Sequence, residues 1–191
     1  MMNRIELVQT LVQYRKDEIV VCTMTAARDW LLHSESPLDF AIVGAMGYAS
    51  SVGLGLALAQ SKRKVLVLDG DGSLLMNLGT LVTIAEQMPV NLVHFVLENG
   101  LYEIAGRVPV PGSGKVSFTG LASAAGLKKV YEYDDLDVLR EQLSSLLKEP
   151  GPVFVDLKIE PGPPDPVKVE KDYRGAVAMA RTMEKALQAA C

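Results

Sequence analysis

Asp71 and Asn99 are the side chains in this sequence best placed to do chemistry together. Asp71 lies in Leu68-Asp69-Gly70-Asp71-Gly72-Ser73, directly after the apolar run Val65-Leu66-Val67-Leu68, and Glu98-Asn99 follows a second apolar run over 92–97. Each run reads as a buried strand. Each therefore delivers an oxygen-bearing side chain at a strand's carboxyl end, the edge where open parallel sheets bind ligands. A carboxylate and an amide oxygen placed this way suit a hard divalent cation that holds a phosphate group. Magnesium takes about six oxygens and usually only one or two carboxylates. Asp71, Asn99, a backbone carbonyl, phosphate oxygens and a water would complete that shell.

Gly70-Asp71-Gly72-Ser73 joins the first strand to a predicted helix over 74–88, which Pro89 stops. Free N–H groups and the positive end of a helix dipole meet at such a junction and suit a phosphate. The glycines allow close approach of the backbone, and Ser73 adds a hydroxyl donor. Gly53-Leu54-Gly55-Leu56-Ala57-Leu58 looks briefly like a dinucleotide fingerprint and fails it. Leu58 stands where a third glycine or alanine belongs, and the run lies inside a predicted helix rather than in a strand-to-helix turn.

The elements that must position these residues alternate between helix and strand. Ile5, Leu7, Val8, Leu11 and Val12 make a helical stripe over 3–15. Strands are predicted over 19–22, 40–43, 65–69, 92–97, 128–133 and 153–159. Thr25 is placed to cap a helix over 26–32, and further helices are predicted over 48–60, 118–125 and 136–147. Residues 100–115, with four glycines and two prolines, read as a long loop. This alternation predicts one three-layer α/β/α domain with a mainly parallel sheet over 1–160. Glu160-Pro161-Gly162-Pro163-Pro164-Asp165-Pro166 reads as a stiff linker, so 161–191 is a linker and a terminal helix. The stripe Tyr173, Val177, Ala180, Met183 and Leu187 fits a helix folded back on its own domain and equally one docked on a partner.

The helix over 48–60 is unusual in its small residues, among them Ala49, Ser50, Ser51, Gly53 and Gly55. A glycine inside a helix costs roughly 1 kcal/mol against alanine, and close approach of another backbone is the expected reason. The helix is buried in its own domain or lies at a subunit or cofactor interface. The second reading fits better, because a helix apolar all round must be covered on every side.

Composition narrows the function classes. The chain has 191 residues, enough for one domain with a full core. Its hydrophobic content of 49% and mean hydropathy of +0.19 fit either a well-filled core or a face covered by another subunit. The net charge of −4 offers no basic patch and argues against nucleic-acid binding. No apolar run is long enough to span a membrane, and the first residues lack the apolar core of a secretion signal. Cys22 and Cys191 cannot build a disulfide framework; Cys22 reads as a core residue, and a reducing cytoplasm is the expected compartment. His94, within a strand, reads as core, and His33, after a helix end, as surface.

These residues carry a family likeness. Gly70-Asp71-Gly72 followed by Glu98-Asn99 resembles the thiamine diphosphate-binding motif, which usually ends in two asparagines. Gly44-Ala45-Met46-Gly47 stands where that family has its glycine–large apolar–glycine segment. Across about 19–159 the chain looks like the diphosphate-binding half of a thiamine diphosphate-dependent 2-oxo acid decarboxylase. It is most similar to the β subunits of sulfopyruvate decarboxylases and to the matching part of phosphonopyruvate decarboxylases. The resemblance implies that Asp71, Asn99 and the carbonyl of Leu101 bind magnesium. It implies that Gly70, Gly72, Ser73 and Thr25 meet the diphosphate, and that the Gly44 carbonyl, next to Gly47, meets the aminopyrimidine. Met46 would wedge beneath the cofactor and hold it bent, whereas Met76 and Met88 read as core methionines. Two departures stand out. Glu98 replaces the first asparagine and would add negative charge beside the site. The loop after Glu103, with Arg107-Val108-Pro109-Val110, lacks the polar pattern of the sulfopyruvate and phosphonopyruvate enzymes. Arg107 is a candidate partner for an anionic substrate group or a solvated loop residue.

The resemblance also implies what the chain lacks. The family's cofactor sits between two domains, and the second supplies a glutamate that protonates the pyrimidine ring. No such domain remains outside the segments assigned above, and Glu6, Glu18 and Glu35 have no claim to that role. A separate pyrimidine-binding α subunit is therefore expected, with a small 2-oxo acid as substrate and the cofactor as electron sink while carbon dioxide leaves. The assembly would be a hetero-oligomer or, in the competing reading, a homo-oligomeric binding module without chemistry. A subunit of an acetolactate synthase-like or oxidoreductase enzyme shares the same motifs; iron–sulfur ligation by this chain is not expected from two distant cysteines.

Overall fold

The computed structural model describes residues 1–162 and 175–189. Six strands form one parallel sheet: β1 (Ile19–Thr23), β2 (Asp39–Ile42), β3 (Val65–Gly70), β4 (Leu92–Glu98), β7 (Lys129–Tyr133) and β8 (Val153–Lys158). Their order is β2-β1-β3-β4-β8-β7, and every neighbouring pair runs parallel. The central strands read as continuous apolar runs because helices cover both faces. Against one face pack α1 (Arg4–Tyr14), α2 (Met24–His33) and α7 (Leu136–Lys148), which bury Leu7, Leu11, Trp30 and Leu143 with Leu66, Leu68 and Phe95. Against the other pack α3 (Ala49–Ala59), α5 (Gly79–Gln87) and α6 (Phe118–Ala124), which bury Leu54, Leu81, Ile84 and Phe118 with Val65, Val67 and Phe154. The expected three-layer α/β/α architecture is therefore present.

Strand order places the site. From β1 the chain crosses to β2 on one side and then returns to β3 on the other. The crevice between the carboxyl ends of β1 and β3 is the point where the winding reverses, and ligands of such sheets bind there.

Several expectations need correction. The helix over 74–88 is broken. A short α4 (Asp71–Leu75) precedes α5, and the residues between them switch to tight turns in which Met76 N bonds Ser73 O and Asn77 N bonds Leu74 O. Asn77 and Gly79 are weak helix formers at that break. The break exposes Met76, and Met88 is exposed at the left-handed end of α5, so neither is a core methionine. Thr25 caps nothing: α2 starts one residue earlier, and Thr25 lies in its first turn. The loop over 100–115 holds a small hairpin, β5 (Leu101–Tyr102) with β6 (Val108–Pro109).

The terminal helix α8 (Ala176–Ala189) folds back on its own domain. It covers the otherwise free edge strand β2, a common way to protect a sheet edge. Its buried face is Met179 and Met183, flanked by Ala186 and Leu187; Met183 and Leu187 belong to the expected stripe, whereas Ala180 is exposed. Val177 is exposed. Tyr173 and Cys191 lie outside the described residues, as does part of the expected linker. Cys22 and His94 are buried and His33 is exposed, as expected.

Candidate active site at the winding reversal

A cleft of about 180 Å³ opens at the crevice between β1 and β3. Thr23 to Ala26 line it after β1, and Asp69 to Ser73 line it after β3. Asn99 and Leu101 to Ala105 reach it after β4. Met46 enters from the segment that follows β2.

Asp71 is the first residue of α4 and is buried. Its Oδ1 accepts the Gly72 N–H at 2.7 Å. Its Oδ2 accepts the N–H groups of Asn99 at 3.1 Å and Gly100 at 2.7 Å. One carboxylate thus ties the β3 turn to the β4 turn. Burial raises the Asp71 pKa, the three N–H bonds oppose that rise, and the Glu98 charge adds to it. A cation would relieve the same penalty. The Asn99 amide oxygen accepts the Leu101 N–H at 2.8 Å, which fixes the side chain and orients the Leu101 backbone.

Around this pair stand the other residues singled out by sequence. A Cβ on Gly70 would meet nothing within 4 Å, so the floor of the cleft is open there. Gly72 has a different reason to be glycine: a Cβ would collide with the Tyr102 ring, which lies directly over it. Ser73 Oγ accepts the Gly47 N–H at 2.9 Å and keeps its own proton to donate. Gly44 and Gly47 both have positive φ, +87° and +83°, a backbone that favours glycine. They turn the chain so that half-buried Met46 lines the cleft. Thr25 lines it from α2, next to Met24, whose φ of 53° is a left-handed conformation uncommon outside glycine. Thus Thr25, Met46, Gly70, Asp71, Gly72, Ser73, Asn99 and Leu101 converge on one cleft, with Gly44 and Gly47 shaping its edge.

The sequence did not point to three parts of this arrangement. Asn77, freed by the helix break, donates to the Gly47 carbonyl at 2.9 Å and to Ser51 Oγ at 3.1 Å. Together with Ser73 it locks the Gly44-to-Gly47 segment to α4. Arg4 lines the cleft from α1 and pairs with Asp29 and Glu103. A long-range pair of this kind leaves no local signal, although Asn77 two residues before Gly79 was a readable helix-breaking one. The third is a charge cluster beside the site, built around the buried Asp156. Glu98 bonds Lys158 Nζ, which also meets Asp156 at 2.8 Å and Glu132 at 3.5 Å. Burial, with the Glu98 charge, pushes the Asp156 pKa up to about 7. Burial disfavours the Lys158 charge, yet bonds to Asp156 and Glu98 hold its pKa above the ordinary lysine value. Glu98 therefore adds its charge to the site's surroundings while its carboxylate faces Lys158. Arg107 is exposed in the hairpin turn and does not line the cleft.

No helix among the described residues is long and apolar enough to cross a membrane.

Comparison with known proteins agrees with this geometry. The model of the family "Thiamine pyrophosphate enzyme, C-terminal TPP binding domain" matches residues 18–157. The chain is 38% identical to a sulfopyruvate decarboxylase subunit β of Methanothermobacter thermautotrophicus, covering 90% of each. It is 37% identical to a phosphonopyruvate decarboxylase of Streptomyces viridochromogenes, covering 90% of this chain but only 45% of that one. An X-ray structure described as a thiamin diphosphate-dependent enzyme of Mycobacterium smegmatis superposes with a TM-score of 0.70 at 22% identity, over 84% of this chain and 32% of that one. The likeness in fold, the match over most of the chain and the cleft where the winding reverses converge: the chain belongs to the family of thiamine pyrophosphate-binding C-terminal domains of thiamine pyrophosphate enzymes, and is related to the sulfopyruvate and phosphonopyruvate decarboxylases.

Proposed function

We propose that this chain is the diphosphate-binding subunit of a thiamine diphosphate-dependent 2-oxo acid decarboxylase, spans 1–160 as its cofactor domain, and acts in the cytoplasm. The observation that carries the reading is the Asp71 carboxylate, pinned by Gly72, Asn99 and Gly100 at the crevice between β1 and β3. The donor set fits a magnesium–diphosphate group. Asp71 and Asn99 offer side-chain oxygens and Leu101 a carbonyl, which is the hard oxygen set magnesium requires. Gly70 leaves the floor open, the first turn of α4 offers backbone N–H groups other than that of Gly72, which Asp71 takes, and Ser73 and Thr25 offer hydroxyls. In this reading the Gly44 carbonyl meets the aminopyrimidine, and Met46, which lines the cleft, wedges beneath the cofactor. When bound, the cofactor supplies an electron sink for loss of carbon dioxide from a 2-oxo acid. The chain's own part is to grip, orient and exclude water, with Met24, Met46, Leu97 and Ile104 as apolar walls.

A partner subunit completes this reading. The carboxylates that line the cleft are Asp69, Asp71 and Glu103. Glu103 is the one glutamate among them, and its two carboxylate oxygens are taken by Arg4 and Gly162. We therefore assign the activating glutamate to a partner subunit. The exposed side of α3 and α5, with Tyr48, Leu58 and Val82 about half exposed or more (60%, 50% and 59%), is the surface we assign to that partner. Co-expression with a candidate pyrimidine-binding subunit, followed by assay of carbon dioxide release from small 2-oxo acids with magnesium and thiamine diphosphate, tests the reading. Turnover by the pair and none by the chain alone is expected. Robust turnover by the chain alone would refute the need for a partner.

A further inference from the structure

The hairpin that carries Leu101 and Tyr102 into the cleft has little to hold it. Its strands are two residues each, too short to fix a hairpin by themselves. Residues 104–109 are exposed. Val110 is buried and anchors the far end. At the near end the anchor is a charge. Glu103 Oε2 accepts from Arg4 Nη1 at 2.8 Å, with the two side chains only 6% and 4% exposed. Its other oxygen accepts the Gly162 N–H at 2.9 Å. Arg4 is fixed in turn by Asp29, fully buried, at 2.6 Å. Charge-assisted bonds between buried groups hold geometry well and are costly to break from one side.

We infer that Glu103 is a positioning residue: its bond to Arg4 holds the hairpin so that the Leu101 carbonyl and the Tyr102 ring stay over the Asp71-Gly72 turn. Glu103 does not touch the reacting atoms. It acts through Leu101, two residues before it, and through Tyr102, whose ring covers Gly72. Arg4 carries two carboxylate partners, so its charge serves this anchor rather than an anionic substrate. The link to catalysis rests on the cofactor reading above; the anchoring does not.

Glu103→Ala and Glu103→Gln in the full chain test the inference by amide hydrogen exchange and by calorimetric titration with thiamine diphosphate and magnesium. In Glu103→Ala the Leu101 and Arg107 amides, bonded to Asn99 Oδ1 and the Tyr102 carbonyl, should exchange about tenfold faster or more, while amides of β3 and β4 stay unchanged. Cofactor affinity should fall about tenfold. Glu103→Gln should recover part of both effects, because an amide oxygen still accepts from Arg4. Unchanged exchange at Leu101 and Arg107 overturns the inference. So does faster exchange with unchanged affinity, or acceleration shared equally by β3 and β4. If the wild-type chain binds no cofactor, the functional reading fails, and exchange alone decides the anchoring.

Discussion

Asn77 donates its side-chain amide to the Gly47 carbonyl at 2.9 Å. This bond joins the break between α4 and α5 to the segment that carries Met46. Ser73 closes the same joint from the other side by accepting the Gly47 N–H. The turn that shapes one wall of the cleft is therefore held by Ser73 on α4, which also carries Asp71, and by Asn77 in the turn just after it.

Asn77→Leu should loosen that wall. It removes two hydrogen bonds, to Gly47 and to Ser51, each worth about 1 kcal/mol, read as a fall in the urea midpoint. Affinity for thiamine diphosphate should fall more than stability does, because Met46 loses its fixed position. Equal affinity in the variant would show that Asn77 serves the fold alone.

The two glycines of α3 should behave oppositely. A Cβ on Gly53 would collide with Val67 on β3, whereas one on Gly55 meets nothing within 4 Å. Overpacking at a core position costs about 1–3 kcal/mol, so Gly53→Ala should lower the melting temperature. Gly55→Ala should raise it, stabilising α3 by up to about 1 kcal/mol through helix propensity, and should weaken assembly with the partner subunit. Thermal melts and analytical ultracentrifugation of the pair check both. Unimpaired assembly in Gly55→Ala would remove the outer face of α3 from the interface.

Much of this was legible in sequence, for physical reasons. Buried parallel strands such as 65–69 and 92–97 are continuous apolar runs, so their ends, and hence Asp71 and Asn99, could be placed. Gly53 and Gly55 could be singled out but not separated, since which glycine faces Val67 depends on tertiary packing. The apolar pattern over 74–88 carries through the break, so the sequence alone predicts one continuous helix there. Thr25 fits a cap by its position in the sequence, but α2 begins on Met24, a left-handed residue whose conformation composition does not reveal. Arg4 and Glu103 are 99 positions apart, and only the fold brings them together.

Asp156 gives the pH dependence a definite sign. Its pKa is raised from 3.8 to about 7 by burial, with the Glu98 charge adding to the shift. The native state therefore holds a proton that the unfolded chain releases, and stability from this group falls as pH rises through that window. Against Asp156→Asn, which does not titrate, the wild-type chain should lose stability as pH rises from about 4.5 to 7.5. Melting temperatures of both proteins at the two pH values check this. A difference independent of pH would contradict it.

The central claim is that Asp71 holds a metal-bound diphosphate. Calorimetric titration of thiamine diphosphate into the chain, with magnesium and again with a chelator in its place, tests it most directly. Binding by the wild-type chain should require the metal, and Asp71→Ala should abolish it. Metal-dependent binding retained by Asp71→Ala at wild-type affinity would contradict the site assignment.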